Sequence, residues 1–282
     1  MVLLCMLWGF QQITIKWAAE GVSLVMQAGL RSIIAVALLL AWSAARRSPL
    51  FNRDGTFVPG VIAGLLFAAE FVFIYAGLAW TAASRMIVFI YLAPCFTALG
   101  LQWFVPGERL NARQWVGVTI AFAGMALAFA EGFGAAKGAT LLGDAFGVIA
   151  AVLWAATTVL IRASRLASVS AGKTLFYQLA VSALALPLAS VIAGEPGIVA
   201  LTPKVLASIV YQGVIVAFAS YLAWFWLLTR YYAGRLAVFS FLTPLFGVAF
   251  GVIFLSEPLS AAFVGAALLV SVGIVLVNRP GS

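Results

Sequence analysis

Apolar stretches of about 20 residues recur along the whole chain, which is the length that crosses a bilayer as a helix. In hydrocarbon each peptide N–H and C=O must find a partner inside the protein, so a lipid-crossing run of this length has to be helical. Ten runs qualify, at roughly 2–18, 24–45, 57–79, 84–104, 113–131, 141–162, 171–193, 204–229, 234–255 and 259–278. The connectors carry turn residues, as in Arg46-Arg47-Ser48-Pro49, Pro106-Gly107-Glu108 and Gly194-Glu195-Pro196-Gly197, and none has room for a soluble domain. Hydrophobic residues make up 65% of the chain and charged ones 9%, against roughly a quarter charged in soluble globules. The expected fold class is an all-α polytopic membrane protein of ten transmembrane helices.

The first run serves as the first span, so no signal peptide is needed. Lys and Arg give the expected orientation. With the N-terminus cytoplasmic, inside segments hold eleven cations: Arg46, Arg47, Arg53, Arg109, Arg113, Arg162, Arg165, Lys173, Arg230, Arg235 and Arg279. Outside loops hold four, Lys16, Arg85, Lys137 and Lys204, and Arg31 falls within a span. By the positive-inside rule both termini are expected in the cytoplasm. This distribution also accounts for the net charge of +8 without nucleic acid. The chain has no histidine, which removes most transition-metal sites and His-based catalysis. Cys5 and Cys95 sit in apolar runs and are expected as core residues, not as a disulfide.

The chain also repeats itself. Leu7-Trp8-Gly9-Phe10-Gln11-Gln12 through Lys16 matches Leu153-Trp154-Ala155-Ala156-Thr157-Thr158 through Arg162 at an offset of 146. Tyr91-Leu92-Ala93-Pro94 matches Phe241-Leu242-Thr243-Pro244, and Arg85 matches Arg235, both at 150, while Glu108-x-Leu110 matches Glu257-x-Leu259 at 149. Five spans per copy is an odd number, so the second copy enters the membrane from the opposite side. The expected organisation is one membrane domain made of two inverted five-helix repeats, residues 1–137 and 138–282.

A chain that opens on Leu7-Trp8-Gly9 and closes each half with Pro, Glu-x-Leu and a Gly-rich helix resembles the drug/metabolite transporter superfamily, specifically its EamA-type exporters. Lys16, Arg31, Pro94, Glu108, Gly117, Gly124, Trp154, Pro244, Glu257, Gly265 and Gly273 carry that resemblance over essentially the whole chain. The aromatic-rich spans and Phe10-Gln11-Gln12 are most similar to the YddG-type aromatic amino-acid exporters. The resemblance implies export of amino acids and related metabolites through a central cavity in a bacterial inner membrane.

Polar residues inside the spans are the candidates for contact with cargo, because they are costly in lipid. Trp8, Gln11 and Gln12 share a face of span 1, and Trp154, Thr157 and Thr158 share the equivalent face of span 6. The threonines could equally bond back to their own helix. Arg31 and Glu70 are the deep cation and carboxylate, about 10 and 14 Å below the outer surface at 1.5 Å per residue. Glu70 could be a structural partner of Arg31, a ligand for a substrate amino group or a proton-coupling carboxylate. Tyr75, Tyr91, Tyr177, Gln178, Tyr221 and Trp224 are further cavity candidates, and Pro94 and Pro244, at matching positions, are candidate kinks that act as hinges or gates. Gly60-x3-Gly64 and Gly143-x3-Gly147, with Gly117, Gly124, Gly265 and Gly273, are expected to let helices approach closely.

The repeat favours an alternating-access carrier, and the resemblance implies that it exports amino acids, aromatic ones among them; the alternative is an exporter of other small metabolites or amphiphilic drugs. A membrane enzyme ranks below these, because no paired carboxylates, HExxH or phosphate loop is present. A channel also ranks below, for want of a filter or charged ring. No catalytic residue, metal or cofactor is expected. The expected partners are a small-molecule substrate and membrane lipid, not nucleic acid, and the chain could act as a monomer.

Overall fold

The structure, a computed structural model, describes residues 1–81, 83–130, 138–255 and 261–279; Lys137 and the Glu257-x-Leu259 copy of the repeat lie outside them. Helices fall in every apolar run: α1 (Val2–Ala18), α2 (Leu24–Arg46), α3 (Phe57–Leu78), α4 (Ala83–Ile90), α5 (Ala93–Phe104), α6 (Ala112–Ala128), α7 (Gly138–Ala163), α8 (Ala171–Ile192), α9 (Pro203–Val210), α10 (Tyr221–Leu228), α11 (Ala233–Phe239), α12 (Leu242–Leu255) and α13 (Ala261–Asn278). No β-strand occurs among the described residues, only a single antiparallel bridge between Val22 and Ile198. Among the described residues, seven helical stretches are long and apolar enough to cross a membrane, and Val264–Asn278 is a shorter apolar one. The protein is an all-α polytopic membrane protein.

Local chemistry sets the helix ends. Asn111 and Gln114 close a reciprocal capping box at the start of α6, and the Ser170 and Thr202 hydroxyls accept from Lys173 and Val205 N–H at α8 and α9. The start of α2 is capped from far along the chain. The Glu195 carboxylate accepts from the N–H groups of Val25 and Met26 at 3.2 and 3.3 Å, and from the Ser23 hydroxyl at 2.9 Å. A carboxylate there also meets the positive end of the helix dipole.

Among the described residues, three of the apolar runs are not continuous α-helices. Two break ahead of a proline: α4 stops at Ile90 and α5 restarts with Pro94 as its second residue, while α11 stops at Phe239 and α12 holds Pro244 as its third. Tight three-residue bonds bridge the gaps, Leu92 N–H to Phe89 O and Thr243 N–H to Ser240 O. Each proline therefore begins a helix, where its missing N–H costs nothing, instead of kinking one from within. The third run changes pitch: between α9 and α10 the bonds widen to the i→i+5 pattern of a π-helix over Tyr211–Ser220.

The chain forms two compact units, each drawing on both halves of the sequence. The first comprises Met1–Gly9, Phe73–Val159 and Tyr231–Ser282. Here α6 packs on α13 at glycine contacts: a Cβ on Gly117 would lie 2.8 Å from Gly273 O, and one on Gly124 would lie 2.7 Å from Leu269 Cβ. Val118, Ala121, Met125, Val270, Ile274 and Phe241 fill the core beside them. Gly265, expected to serve the same purpose, faces open space among the described residues. The second unit comprises Phe10–Val72 and Leu160–Arg230. In it Gly60 and Gly64 let α3 press against Tyr177 and Val181 of α8, and Gly29 of α2 abuts Pro187 of α8.

Candidate functional site

A charged and aromatic cluster lies inside the second unit. On α3, Phe67, Glu70 and Phe71 follow an i, i+3, i+4 spacing, so they share one helix face. Arg31 comes from α2, and Tyr221 is the first residue of α10. Arg31 and Glu70 are 3% and 7% exposed. The Arg31 guanidinium lies 4.4 Å from the Phe71 ring centroid, a cation–π contact, and also reaches the Tyr221 hydroxyl. Its charge acts on the Glu70 carboxylate, but no ion pair within 4.0 Å joins the two among the described residues. Phe67 completes the wall, edge-on to Phe71 at 5.1 Å and to Tyr221 at 6.1 Å. A cation, a carboxylate, a phenol and two phenyl rings thus meet in one buried place, which suits a ligand carrying both charges and an apolar side chain.

Tyr221 owes its place to the π-helical stretch before it, whose last wide bond is Tyr221 N–H to Val216 O. Within that stretch Gln212 donates to the Gln27 side chain at 3.2 Å and to Thr14 O at 3.4 Å. Gln27 donates onward to Val22 O at 2.9 Å. Sequence reasoning passed over Gln27 and Gln212, although both are amides within apolar runs and the same signal singled out Gln11, Gln12 and Gln178. On α8, Gln178 and Ser182 are 1% and 0% exposed, one turn apart on the same face. Gln178 Nε2 and Ser182 Oγ have no hydrogen-bond partner among the described residues. Buried polar atoms normally have one, so this pair can receive a polar guest.

The other candidates are spread over both units. Trp8, Tyr75, Tyr91, Trp154, Thr157, Thr158, Pro94 and Pro244 belong to the first. There the Tyr91 and Trp154 rings meet edge-on at 5.8 Å. The Thr157 and Thr158 hydroxyls donate to Leu153 O and Trp154 O one turn back, so their own helix satisfies them. Gln11, Gln12, Tyr177 and Trp224 belong to the second unit. Gln11 is buried and Gln12 exposed, so the two adjacent amides do not face the same surroundings. Tyr177 shares a hydrogen bond of 3.2 Å with Thr56, at the loop before α3.

A second buried charge pair lies in the first unit and escaped the sequence reading. Arg85 donates to both carboxylate oxygens of Asp144 on α7, through Nε at 3.1 Å and through Nη2, and the Thr81 hydroxyl adds a bond of 2.8 Å. Every oxygen of this carboxylate is engaged, which marks a structural clamp between α4 and α7. Glu108 in the same unit accepts from Ala233 N–H and caps the start of α11. Among the described residues no three His, Cys, Asp or Glu side chains gather to hold a metal ion.

Comparison with known proteins places this architecture. The profile of the EamA-like transporter family matches residues 1–130 and 141–279. An uncharacterized transporter of Archaeoglobus fulgidus is 27% identical over 91% of this chain and 88% of its own length. A probable amino-acid metabolite efflux pump of Escherichia coli is 24% identical over 96% of this chain and 91% of its own. A crystal structure superposes with a TM-score of 0.82 over 98% of this chain and 94% of that one, at 21% identity, a likeness of fold.

Proposed function

The chain belongs to the EamA-like transporter family, and from that premise we propose that it exports amino acids, aromatic ones included, across a bacterial inner membrane by alternating access. It is a multi-pass membrane protein of a transporter family, so a small-molecule substrate is implied and an enzyme role is not. The observation that carries the finer reading is the buried Arg31–Glu70–Phe71–Tyr221 cluster. An amino acid presents a carboxylate for Arg31, an ammonium for Glu70 and a side chain for the Phe67, Phe71 and Tyr221 rings. The resemblance of this chain to a protein named as a probable amino-acid metabolite efflux pump supports the same substrate class.

In this reading ten helical crossings form two inverted five-helix repeats, residues 1–137 and 138–282, with both termini in the cytoplasm. Inversion makes the two end states of a carrier similar in energy, which alternating access needs. The breaks before Pro94 and Pro244 supply matched points of flexure. Glu70 is the group through which a proton gradient would be coupled.

Counterflow in proteoliposomes tests this. Vesicles preloaded with phenylalanine should take up labelled phenylalanine with saturation, and Arg31→Ala should abolish the uptake. Flux that rises linearly with concentration would mark a channel, and no flux of any amino acid would refute the substrate class. Proton coupling through Glu70 predicts that Glu70→Gln loses the response to a pH gradient, and loss of the ammonium's charge partner raises the phenylalanine concentration needed for half-maximal exchange.

A further inference from the structure

Outside the cluster, the second unit holds a half-open groove of about 520 Å³, within the range of sites that take a small ligand. It is bounded by the loop before α3, the first turns of α3 and the outer face of α8. Its walls are apolar, formed by Phe57, Val61, Phe176, Val181 and Leu184. Phe57 and Leu184 are 70% and 78% exposed although both lie in membrane-crossing helices, so the groove opens sideways onto hydrocarbon.

The polar rim of this groove has a definite sign. The Asp54 carboxylate is already taken, by Lys173 at 2.7 Å and by the Thr56 hydroxyl, and Lys173 also donates to Asn52 O at 2.8 Å. Arg53 lines the groove, is exposed, and makes no ion pair among the described residues. Arg165, from the turn before α8, lies against Gly55, where an added Cβ would run into its guanidinium. Gly55 has φ +75°, a conformation glycine adopts freely, which holds the loop flat beneath that guanidinium. The rim therefore offers Arg53, with the Arg165 guanidinium beside it against Gly55, and no free carboxylate. A zwitterionic amino acid would leave its ammonium without a partner here, whereas an anion with an apolar tail matches both parts.

We propose that this groove binds one anionic phospholipid of the surrounding bilayer, its phosphate held by Arg53 and Arg165 and an acyl chain lying between α3 and α8. Arginine is suited to the phosphate, and the positive rim sits where lipid headgroups end and hydrocarbon begins. The lipid would cover the seam where Gly60 and Gly64 meet Tyr177 and Val181.

Native mass spectrometry of the full chain in mild detergent tests this, with phosphatidylglycerol and phosphatidylcholine of matched chains titrated separately. The expected result is one tightly held phosphatidylglycerol and weaker phosphatidylcholine. Arg53→Gln with Arg165→Gln should weaken the former about 30-fold, the increment for two basic residues at a lipid surface, and weaken the latter, whose choline cation offsets its phosphate, by less. Arg53→Lys with Arg165→Lys should keep most of the preference, which guards against a folding defect in the Gln pair. Leu184→Trp, which fills the slot, should weaken both lipids. Equal retention of the two lipids by the wild-type chain would overturn the proposal, as would phosphatidylglycerol binding unmoved by the double Gln change.

Discussion

Arg31 and Glu70 could be read from sequence because an ionisable residue in the middle of an apolar run is conspicuous. Their coupling is testable: Arg31→Ala leaves a buried carboxylate without its cation and should cost about 3 kcal/mol or more. Glu70→Gln in the same molecule should restore much of that loss, read from thermal unfolding; strictly additive losses would show that the two do not interact. Asp144 escaped notice because it sits near the end of its run, where a carboxylate reads as part of a loop. Gln11 and Gln12 differ in burial for a geometric reason. Neighbours on a helix are turned about 100° apart, so burying one amide tends to expose the other. Outside the membrane, hydrogen bonds from Lys173 and then Thr56 lower the Asp54 carboxyl from its ordinary 3.8 to about 2. A depressed carboxyl contributes stability that is fully present above its unfolded value and is lost as pH falls through the folded one. The difference in melting temperature between the wild type and Asp54→Asn should therefore hold above pH about 4 and shrink toward pH 2. A gap that stays constant across that window would refute the assignment.

Among the helices, α-helical runs were legible wherever apolar length alone dictates the answer. The break before each proline was legible only as a bend, because sequence marks the missing donor but not which residue the helix gives up. The π-helical stretch left no trace in sequence, since the choice between i→i+4 and i→i+5 bonding depends on what packs around the chain. If the breaks act as flexure points, Pro94→Ala and Pro244→Ala should fuse their helices, leaving melting temperature unchanged or higher while slowing exchange in proteoliposomes. Full exchange rates in both variants would remove that role. Packing makes a separate prediction. Gly117→Val forces a side chain toward Gly273 O and should cost about 1–3 kcal/mol, whereas Gly265→Ala meets open space and should be tolerated. Comparable losses from both would contradict the α6–α13 contact.

For the whole molecule, the inverted-repeat organisation proposed above would put Lys16 and Arg162 on opposite sides of the membrane, although they occupy equivalent places in the two copies. Single cysteines at these positions, in a background lacking Cys5 and Cys95, should differ in labelling by a membrane-impermeant thiol reagent on intact cells. Labelling of both from outside would refute the inversion. What the sequence could not convey is how far apart in the chain the partners of a helix end lie. Ser23 hydrogen-bonds Glu195, 172 positions later, and Asp54 waits for Lys173, 119 positions on. At about 5–20 residues per second of synthesis, the first turn of α2 is made roughly 10–30 seconds before its capping carboxylate exists. The opening half of this protein must therefore leave the ribosome with helix ends unfinished, and it completes them only when the closing half arrives.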